Sequence, residues 1–240
     1  NPDYVRQVVN LTQTTSASYL LIASLDSSRR TLALEGKDIF EKVKHYSRYA
    51  RDEINQIGDY YAYAAEIVNG DTIYDFDDTK LSVNTYGLGL AGIEVHDLLH
   101  DEYDIQIEFG DLGNFLAYIS IGDKTKNIER LIGSLAEIRR LYKREQAAAS
   151  QYRYHTPEVV LTPQEAFYAP RKSVPLDEGI GHVCCEFFMT YPPGIPLLAP
   201  GERITEDIIG YIRSARDLGC VITGPQHLEA DRINILTGEG

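Results

Sequence analysis

The sequence predicts an α/β protein, and three patterns support that fold class. Long helical segments open the chain. A strand–helix–strand–strand–helix order follows from Tyr60 to Ala149, which describes a compact α/β unit. The last third alternates short strands and helices with proline- and glycine-rich turns, which is typical of a small α+β region. We therefore expect three parts, at residues 1–58, 59–149 and 150–240.

Helices make up the first part. Asn1–Leu11 has helical periodicity, and Tyr19–Leu34 is mostly apolar or small, which favours a buried helix with Ser18 as its cap. We expect Gly36 to interrupt this helix. A second helix with an apolar stripe follows and ends at Gly58, a residue suited to a C-terminal cap.

The second part is organised around Leu81–Asn127. Glycines separate a strand at its start from a helix with one apolar face, and two further strands follow. The elements predicted for this part are strands at Tyr60–Val68, Leu81–Thr85, Ile105–Ile107 and Phe115–Ile121, a solvated hairpin at Gly70–Lys80, and an amphipathic helix at Lys124–Ala149.

Two carboxylates, Glu108 and Asp111, lie in the loop that we predict between the last two of these strands, beside Gly110 and Gly113. Such a loop has two interpretations. It is a solvated turn, or it is the acidic end of a pocket for a cationic substrate.

The third part opens with a linker-like segment, and its helices carry clear start signals. Thr162 and Pro163 begin one short helix, and Thr205 is expected to cap the last one, which ends at Gly219. The remaining expectations are strands at Arg171–Leu176 and His182–Met189, a rigid proline-rich loop at Tyr191–Glu202, and two short strands after Gly219.

Composition narrows the function classes. Of 240 residues, 43% are apolar and 25% are charged, as in ordinary globular domains, and no apolar run approaches the roughly 20 residues that span a bilayer. The net charge of −13 argues against a nucleic-acid partner. Three cysteines without framework spacing suit a reducing cytoplasm.

Two other pairs of reactive side chains are interpreted as structural. His96 and His100 have the i, i+4 spacing of a metal pair, but no third ligand is evident, so we expect a polar helix face and no metal. Cys184 and Cys185 have no identifiable catalytic partner and fit small buried hydrophobes.

Three segments together resemble the bacterial ornithine/lysine/arginine decarboxylases. They are TTSASYLLIASLDSSRR (Thr14–Arg30), EFGDLGNFLAYISIGDK (Glu108–Lys124) and YPPGIPLLAPGERIT (Tyr191–Thr205). The resemblance implies a pyridoxal-phosphate enzyme of the aspartate-aminotransferase-like fold. The chain would then comprise the end of a PLP-transferase large domain followed by a small α+β C-terminal region.

The same resemblance implies a missing catalytic residue. In this family the Schiff-base lysine lies in a Ser-x-His-Lys motif upstream of the TTSASY-like loop, and no His-Lys pair occurs in these 240 residues. The chain begins with Asn1 inside a helical pattern. We therefore expect it to be the downstream part of a longer polypeptide, with the lysine outside it.

The resemblance also assigns site residues. Thr14, Thr15 and Ser16 match a loop that reaches the cofactor phosphate of the neighbouring subunit, although helix capping is an equal alternative. Glu108 matches a glutamate of the substrate pocket. Asp111 has no secure counterpart, so a substrate contact and a solvated turn stay open for it.

The expected activity is decarboxylation of a basic amino acid, with arginine, which gives agmatine, favoured over lysine and ornithine. Expected partners are the substrate, an upstream PLP-domain polypeptide and a second subunit in a homodimer or higher oligomer. One alternative is a non-catalytic fragment or assembly module that needs a separate lysine-bearing chain. A small-molecule-binding regulatory domain is the other, and it requires Tyr19–Leu34 to be covered from within this chain.

Overall fold

Helices and strands alternate in the computed structural model, which describes residues 1–145, 156–191 and 193–238. Its helices are α1 (Pro2–Thr12), α2 (Tyr19–Ile57), α3 (Gly92–Asp101), α4 (Thr125–Tyr142), α5 (Pro163–Tyr168) and α6 (Glu206–Asp217). Its strands are β1 (Tyr61–Ala62), β2 (Lys80–Asn84), β3 (Phe109–Gly110), β4 (Asn114–Tyr118), β5 (Arg171–Pro175), β6 (Phe188–Tyr191), β7 (Ile195–Leu198), β8 (Val221–Thr223) and β9 (Arg232–Leu236). The predicted mixture of helix and sheet is confirmed.

Helix α2 is one continuous element of 39 residues, about 58 Å long at 1.5 Å per residue. The predicted break at Gly36 is wrong, because helical hydrogen bonding outweighs the weak propensity of a single glycine. All residues up to position 35 are exposed, and the first buried side chain of α2 is Val43. The prediction that Tyr19–Leu34 is buried is therefore wrong among the residues described, since its apolar composition does not supply a covering element.

A four-stranded antiparallel sheet of order β1–β2–β4–β3 forms the first core with α2 and α4. Leu81, Val83 and Phe115 point from the sheet into this core. Val43, Ala50 and Ile54 enter it from α2, and Ile128, Leu135 and Ile138 enter it from α4. The burial of alternate residues along β2 and β4 is the expected pattern for a sheet with one covered face.

Two predicted strands differ from the structure. Only Tyr61–Ala62 of the first is a strand, since the chain enters a 3-10 turn at Ala65–Ile67. The side chain of Asn55 accepts from the Ala62 N–H at 2.7 Å and donates to its carbonyl at 3.3 Å. Ile105–Ile107 lies outside a strand, and the Ile105 N–H donates to Leu99 O at 2.8 Å. Glu108 therefore precedes β3, and Asp111 lies in the turn between β3 and β4.

The C-terminal part has its own core, between α6, the β5–β9 pair and the three-stranded sheet β7–β6–β8. The helix start predicted at Thr162 and Pro163 and the cap predicted at Thr205 are confirmed. The Thr162 hydroxyl accepts from the Glu165 N–H, and the Thr205 hydroxyl accepts from the Ile208 N–H, each at 3.3 Å. The strand predicted at His182–Met189 begins only at Phe188, and β7 lies inside the predicted proline-rich loop.

Helix α4 ends at Tyr142, short of the predicted end at Ala149. Residues 146–149 and 150–155 of the predicted helix end and linker lie outside the described residues, as does Pro192 of the proline-rich loop.

Arg51 joins α2 to the first sheet through a buried guanidinium, since only 3% of the residue is exposed. Its nitrogens donate to Tyr63 O at 2.7 Å, Lys80 O at 2.8 Å and Asp78 O at 3.1 Å. Burial lowers the pKa of Arg51, and the nearby charge of Asp78 opposes that effect. The Arg51 side chain thus satisfies three carbonyls on the stretch that runs from the end of β1 to the first residue of β2.

We expect Arg51→Met to lower the free energy of unfolding by about 3–5 kcal/mol, because three carbonyls would lose a charged donor. The matched control is Arg48→Met on the same helix. Arg48 is 69% exposed and lies 3.8 Å from Asp78, so a loss below about 1 kcal/mol is expected. Urea unfolding measures both variants. Equal losses in the two would contradict the role given to Arg51.

Candidate functional site

Glu108 lies immediately before β3, where its backbone N–H donates to Leu116 O at 2.9 Å. This bond ties the backbone of Glu108 to the neighbouring strand β4, while its side chain is exposed. Among the residues that the structure describes, the Glu108 carboxylate forms no hydrogen bond or ion pair. It is therefore free to accept from a ligand.

An open cavity of about 360 Å³ lies beside Glu108. Asp104 and Asp123 bring two further carboxylates to its wall, and Ile119 and Leu131 line it with apolar surface. One cation also lines the cavity, the Arg130 guanidinium, which lies 3.8 Å from the Asp104 carboxylate. No sequence pattern singles out Asp104 or Asp123, because they lie in two separate loops and meet Glu108 only in the folded chain. An acidic rim above an apolar wall suits a ligand with an aliphatic stem and a terminal cation.

Asp111 has a different environment from Glu108. Its Oδ1 accepts from the Gly113 N–H at 2.8 Å and from the Asn114 N–H at 2.7 Å. This arrangement is a side-chain-stabilised turn between β3 and β4. The half-buried Asp111 carboxylate is thus engaged within its own hairpin, whereas that of Glu108 faces outward.

Thr14, Thr15 and Ser16 lie in the exposed segment between α1 and α2. Thr14 Oγ1 accepts from the Ser16 N–H at 3.2 Å, and Ser18 occupies the N-cap position of α2 without a side-chain capping bond. The prediction that the Ser18 side chain caps α2 is therefore wrong. The first turn of α2 begins beside these three exposed hydroxyl groups. The backbone N–H groups of that turn and the hydroxyls are both donors that an anion can use.

The histidine and cysteine groups have local partners. His96 Nδ1 lies 2.9 Å from the carboxylate of Asp97, and His100 Nδ1 lies 2.7 Å from that of Asp101. Across residues 1–145, 156–191 and 193–238, no group of three His, Cys, Asp or Glu side chains is arranged to hold a metal ion.

The thiol of Cys184 is buried and donates to Glu186 O at 3.0 Å. Burial raises the pKa of this thiol, which disfavours the nucleophilic thiolate. Burial also raises the pKa of Cys220, to about 11, with a further contribution from the charge of Asp111.

Helix α2 is long, yet its charged residues interrupt its apolar runs. Within the described part of the chain, no helix has both the length and the apolar character needed to cross a membrane.

Comparison with known proteins gives a consistent set of relatives. The family described as "Orn/Lys/Arg decarboxylase, C-terminal domain" matches residues 145–224. The arginine decarboxylase of Halalkalibacterium halodurans is 38% identical over 225 residues, which is 92% of this chain and 46% of that protein. The arginine decarboxylase of Bacillus subtilis is 37% identical over 237 residues, which is 98% of this chain and 48% of that protein.

Solved structures show the same fold. The lysine decarboxylase of Francisella novicida superposes with a TM-score of 0.73 at 19% identity, covering 98% of this chain and 45% of that one. The constitutive lysine decarboxylase of Escherichia coli gives a TM-score of 0.69 at 18% identity, covering 98% of this chain and 46% of that one.

The chain spans about half the length of the relatives that it matches. The family match, the identity to two arginine decarboxylases and the shared fold agree with the resemblance noted in the sequence. This chain therefore belongs to the Orn/Lys/Arg decarboxylase family and corresponds to the C-terminal portion of such a protein.

Proposed function

We propose that this chain is the substrate-recognising part of a pyridoxal-phosphate-dependent decarboxylase that converts L-arginine to agmatine and CO₂. One observation carries the proposal. Proteins named arginine decarboxylase are 37–38% identical to this chain and cover 92–98% of it. The E. coli and F. novicida structures described above are lysine decarboxylases at only 18–19% identity, so arginine is preferred to lysine.

Glu108 is the proposed ligand of the substrate's distal cation. Its carboxylate is exposed, and a guanidinium can donate two parallel N–H groups to such a carboxylate. Asp104 and Asp123 add negative charge to the same cavity, and its apolar wall suits the methylene stem of arginine. Asp111 receives no direct substrate contact in this proposal, because its Oδ1 already accepts two backbone N–H groups.

Thr14, Thr15 and Ser16 are proposed to hold the cofactor phosphate. Exposed hydroxyls beside an uncapped helix N-terminus form a donor set that fits a phosphate dianion. Pyridoxal phosphate, when bound, would supply the electron sink for the electron pair that stays on the substrate Cα when CO₂ leaves. The lysine that carries the cofactor is assigned to an upstream PLP-domain polypeptide, and this chain contributes phosphate donors and substrate recognition.

The exposed apolar side chains of α1 and of the first half of α2 support a protein partner. Leu20, Leu21 and Leu25 are at least 67% exposed, and single helices seldom present so much apolar surface to water. We assign this surface to the upstream polypeptide and to a second subunit. The described residues leave Tyr19–Leu34 exposed, so the condition that the regulatory-domain alternative requires is not met.

A non-catalytic assembly module is the second candidate function. It is favoured by the exposed apolar side chains of α1 and α2, which suit contact with a protein partner whether or not this chain contacts the substrate. In this alternative the chain stabilises a cofactor-bearing partner without contacting the substrate. The two functions differ in whether Glu108 affects substrate affinity.

Borohydride reduction of the native preparation, followed by intact mass spectrometry, tests the proposed function. We expect a pyridoxyl adduct on a lysine outside these 240 residues. We also expect CO₂ release from carboxyl-labelled arginine at least tenfold faster than from lysine or ornithine. A preparation without an adduct would favour the assembly module. An adduct with lysine or ornithine as the preferred substrate would contradict the assignment of arginine.

Glu108→Gln tests the substrate contact. Loss of one charge-assisted interaction costs about 1.5–3 kcal/mol, which corresponds to a rise of roughly 10- to 150-fold in KM for arginine. The matched control is Asp104→Asn, which changes a fully exposed carboxylate of the same cavity and is expected to change KM by less than about threefold. Equal effects of the two variants on KM would show that arginine binding depends only on the total negative charge of the cavity, and would contradict a specific contact with Glu108.

The phosphate loop is tested by the triple variant Thr14→Ala, Thr15→Ala, Ser16→Ala. We expect its Kd for pyridoxal phosphate, from an absorbance titration, to rise at least tenfold, and competition by inorganic phosphate to weaken in parallel.

A matched triple control is Ser24→Ala, Ser28→Ala, Thr31→Ala in α2. These hydroxyls donate to helix carbonyls, so cofactor affinity is expected to stay unchanged. Unchanged affinity in the loop variant would remove Thr14, Thr15 and Ser16 from the proposed site.

A further inference from the structure

The turn between β3 and β4 belongs to both cores of the protein. Phe115, just after the turn, is buried in the first core. Leu112, in the middle of the turn, packs against the second core, as do Tyr211 and Leu218 of the C-terminal part. The three-residue connection between β3 and β4 therefore lies between the sheet that follows Glu108 and the core to which α6 belongs.

The backbone of this turn is locked to the start of α3. The Ile93 N–H donates to Asp111 O at 2.9 Å, and the Asp111 N–H donates to Asn114 O at 2.8 Å. Gly110 lies so close to Gly92 that a Cβ atom on Gly110 would overlap the Gly92 carbonyl. Such backbone-to-backbone contact leaves the turn little freedom to move relative to α3.

The first turn of α3 reaches the second core as well. Ala91 and Ile93 are buried in the same core as Ile208 and Ile212 of α6. Burial raises the pKa of Tyr211 in α6 to about 12, with a further contribution from the charge of Asp111. Leu112 and the start of α3 thus both pack into the core to which α6 belongs.

We propose that the turn at residues 110–114 is a joint through which the C-terminal part positions Glu108 for substrate binding. Leu112 and Asp111 are positioning residues in this joint, and the consequence for substrate rests on the proposed function of Glu108. Strand β3 has only two residues, and Glu108 directly precedes it. A shift of the turn is therefore transmitted to Glu108 over one short strand.

Hydrogen exchange on Leu112→Ala in this chain tests the joint. We expect the N–H groups of Glu108, Gly113 and Asn114 to exchange at least tenfold faster, while the N–H of Leu135 in α4 keeps its rate. The matched control is Leu228→Ala. Leu228 is 85% exposed, and its truncation is expected to leave all four rates unchanged. If Leu112→Ala fails to fold, Leu112→Val, which removes one methylene, replaces it.

A uniform rise in all four exchange rates, or no change at Glu108, Gly113 and Asn114 of the β3–β4 hairpin, would overturn the proposal. Leu112→Met serves as a rescue variant, because it restores apolar volume and is expected to return the hairpin rates to within about twofold of the parent.

The catalytic consequence is measured in the native preparation used for the CO₂ assay. We expect Leu112→Ala to raise KM for arginine at least fivefold while kcat changes less than twofold. Altered exchange with an unchanged KM would overturn the positioning of Glu108. If the unmodified preparation releases no CO₂, the proposed function fails, and the exchange rates alone decide whether the joint exists.

Discussion

One face of helix α2 determines the path of the chain that follows it. Ser47, Arg51 and Asn55 are spaced four residues apart, so they share one side of the helix. Ser47 and Arg51 donate to Asp78 O, Arg51 also binds Tyr63 O, and Asn55 takes both backbone groups of Ala62. The first sheet therefore rests on side-chain contacts to its backbone as well as on apolar packing.

These contacts explain which elements the sequence could predict. Strand β2, helix α4 and the cap at Thr205 follow from local signals, namely alternation, an apolar stripe and a capping residue. The short length of β1 could not be predicted, because the chain enters a 3-10 turn at Ala65–Ile67 without a glycine or proline to signal it. The exposure of Tyr19–Leu34 could not be predicted either, since an apolar pattern reports that a surface suits burial and not what covers it.

The two candidate carboxylates illustrate the same limit within the site. Glu108 and Asp111 are three residues apart and both carry a carboxylate, yet within the described residues only the exposed carboxylate of Glu108 has no hydrogen bond to its own hairpin. The order Asp111, Leu112, Gly113, Asn114 does contain a turn signal, because aspartate often binds the backbone two residues ahead. Read in that way, the sequence favours a positioning role for Asp111. The free carboxylate of Glu108 becomes evident only from the structure.

The two proposed binding elements of this chain lie at different positions along α2. Lys42 donates to the backbone of Asp123, which lines the cavity beside Glu108. The hydroxyl-rich loop ends just before Tyr19, 23 residues earlier, or about 35 Å along the helix axis. One cofactor joined to one amino acid does not cover that distance. Under the proposed function, the loop and Glu108 of one chain therefore serve two different active sites, and a second copy of the chain is the partner that we propose to complete each of them.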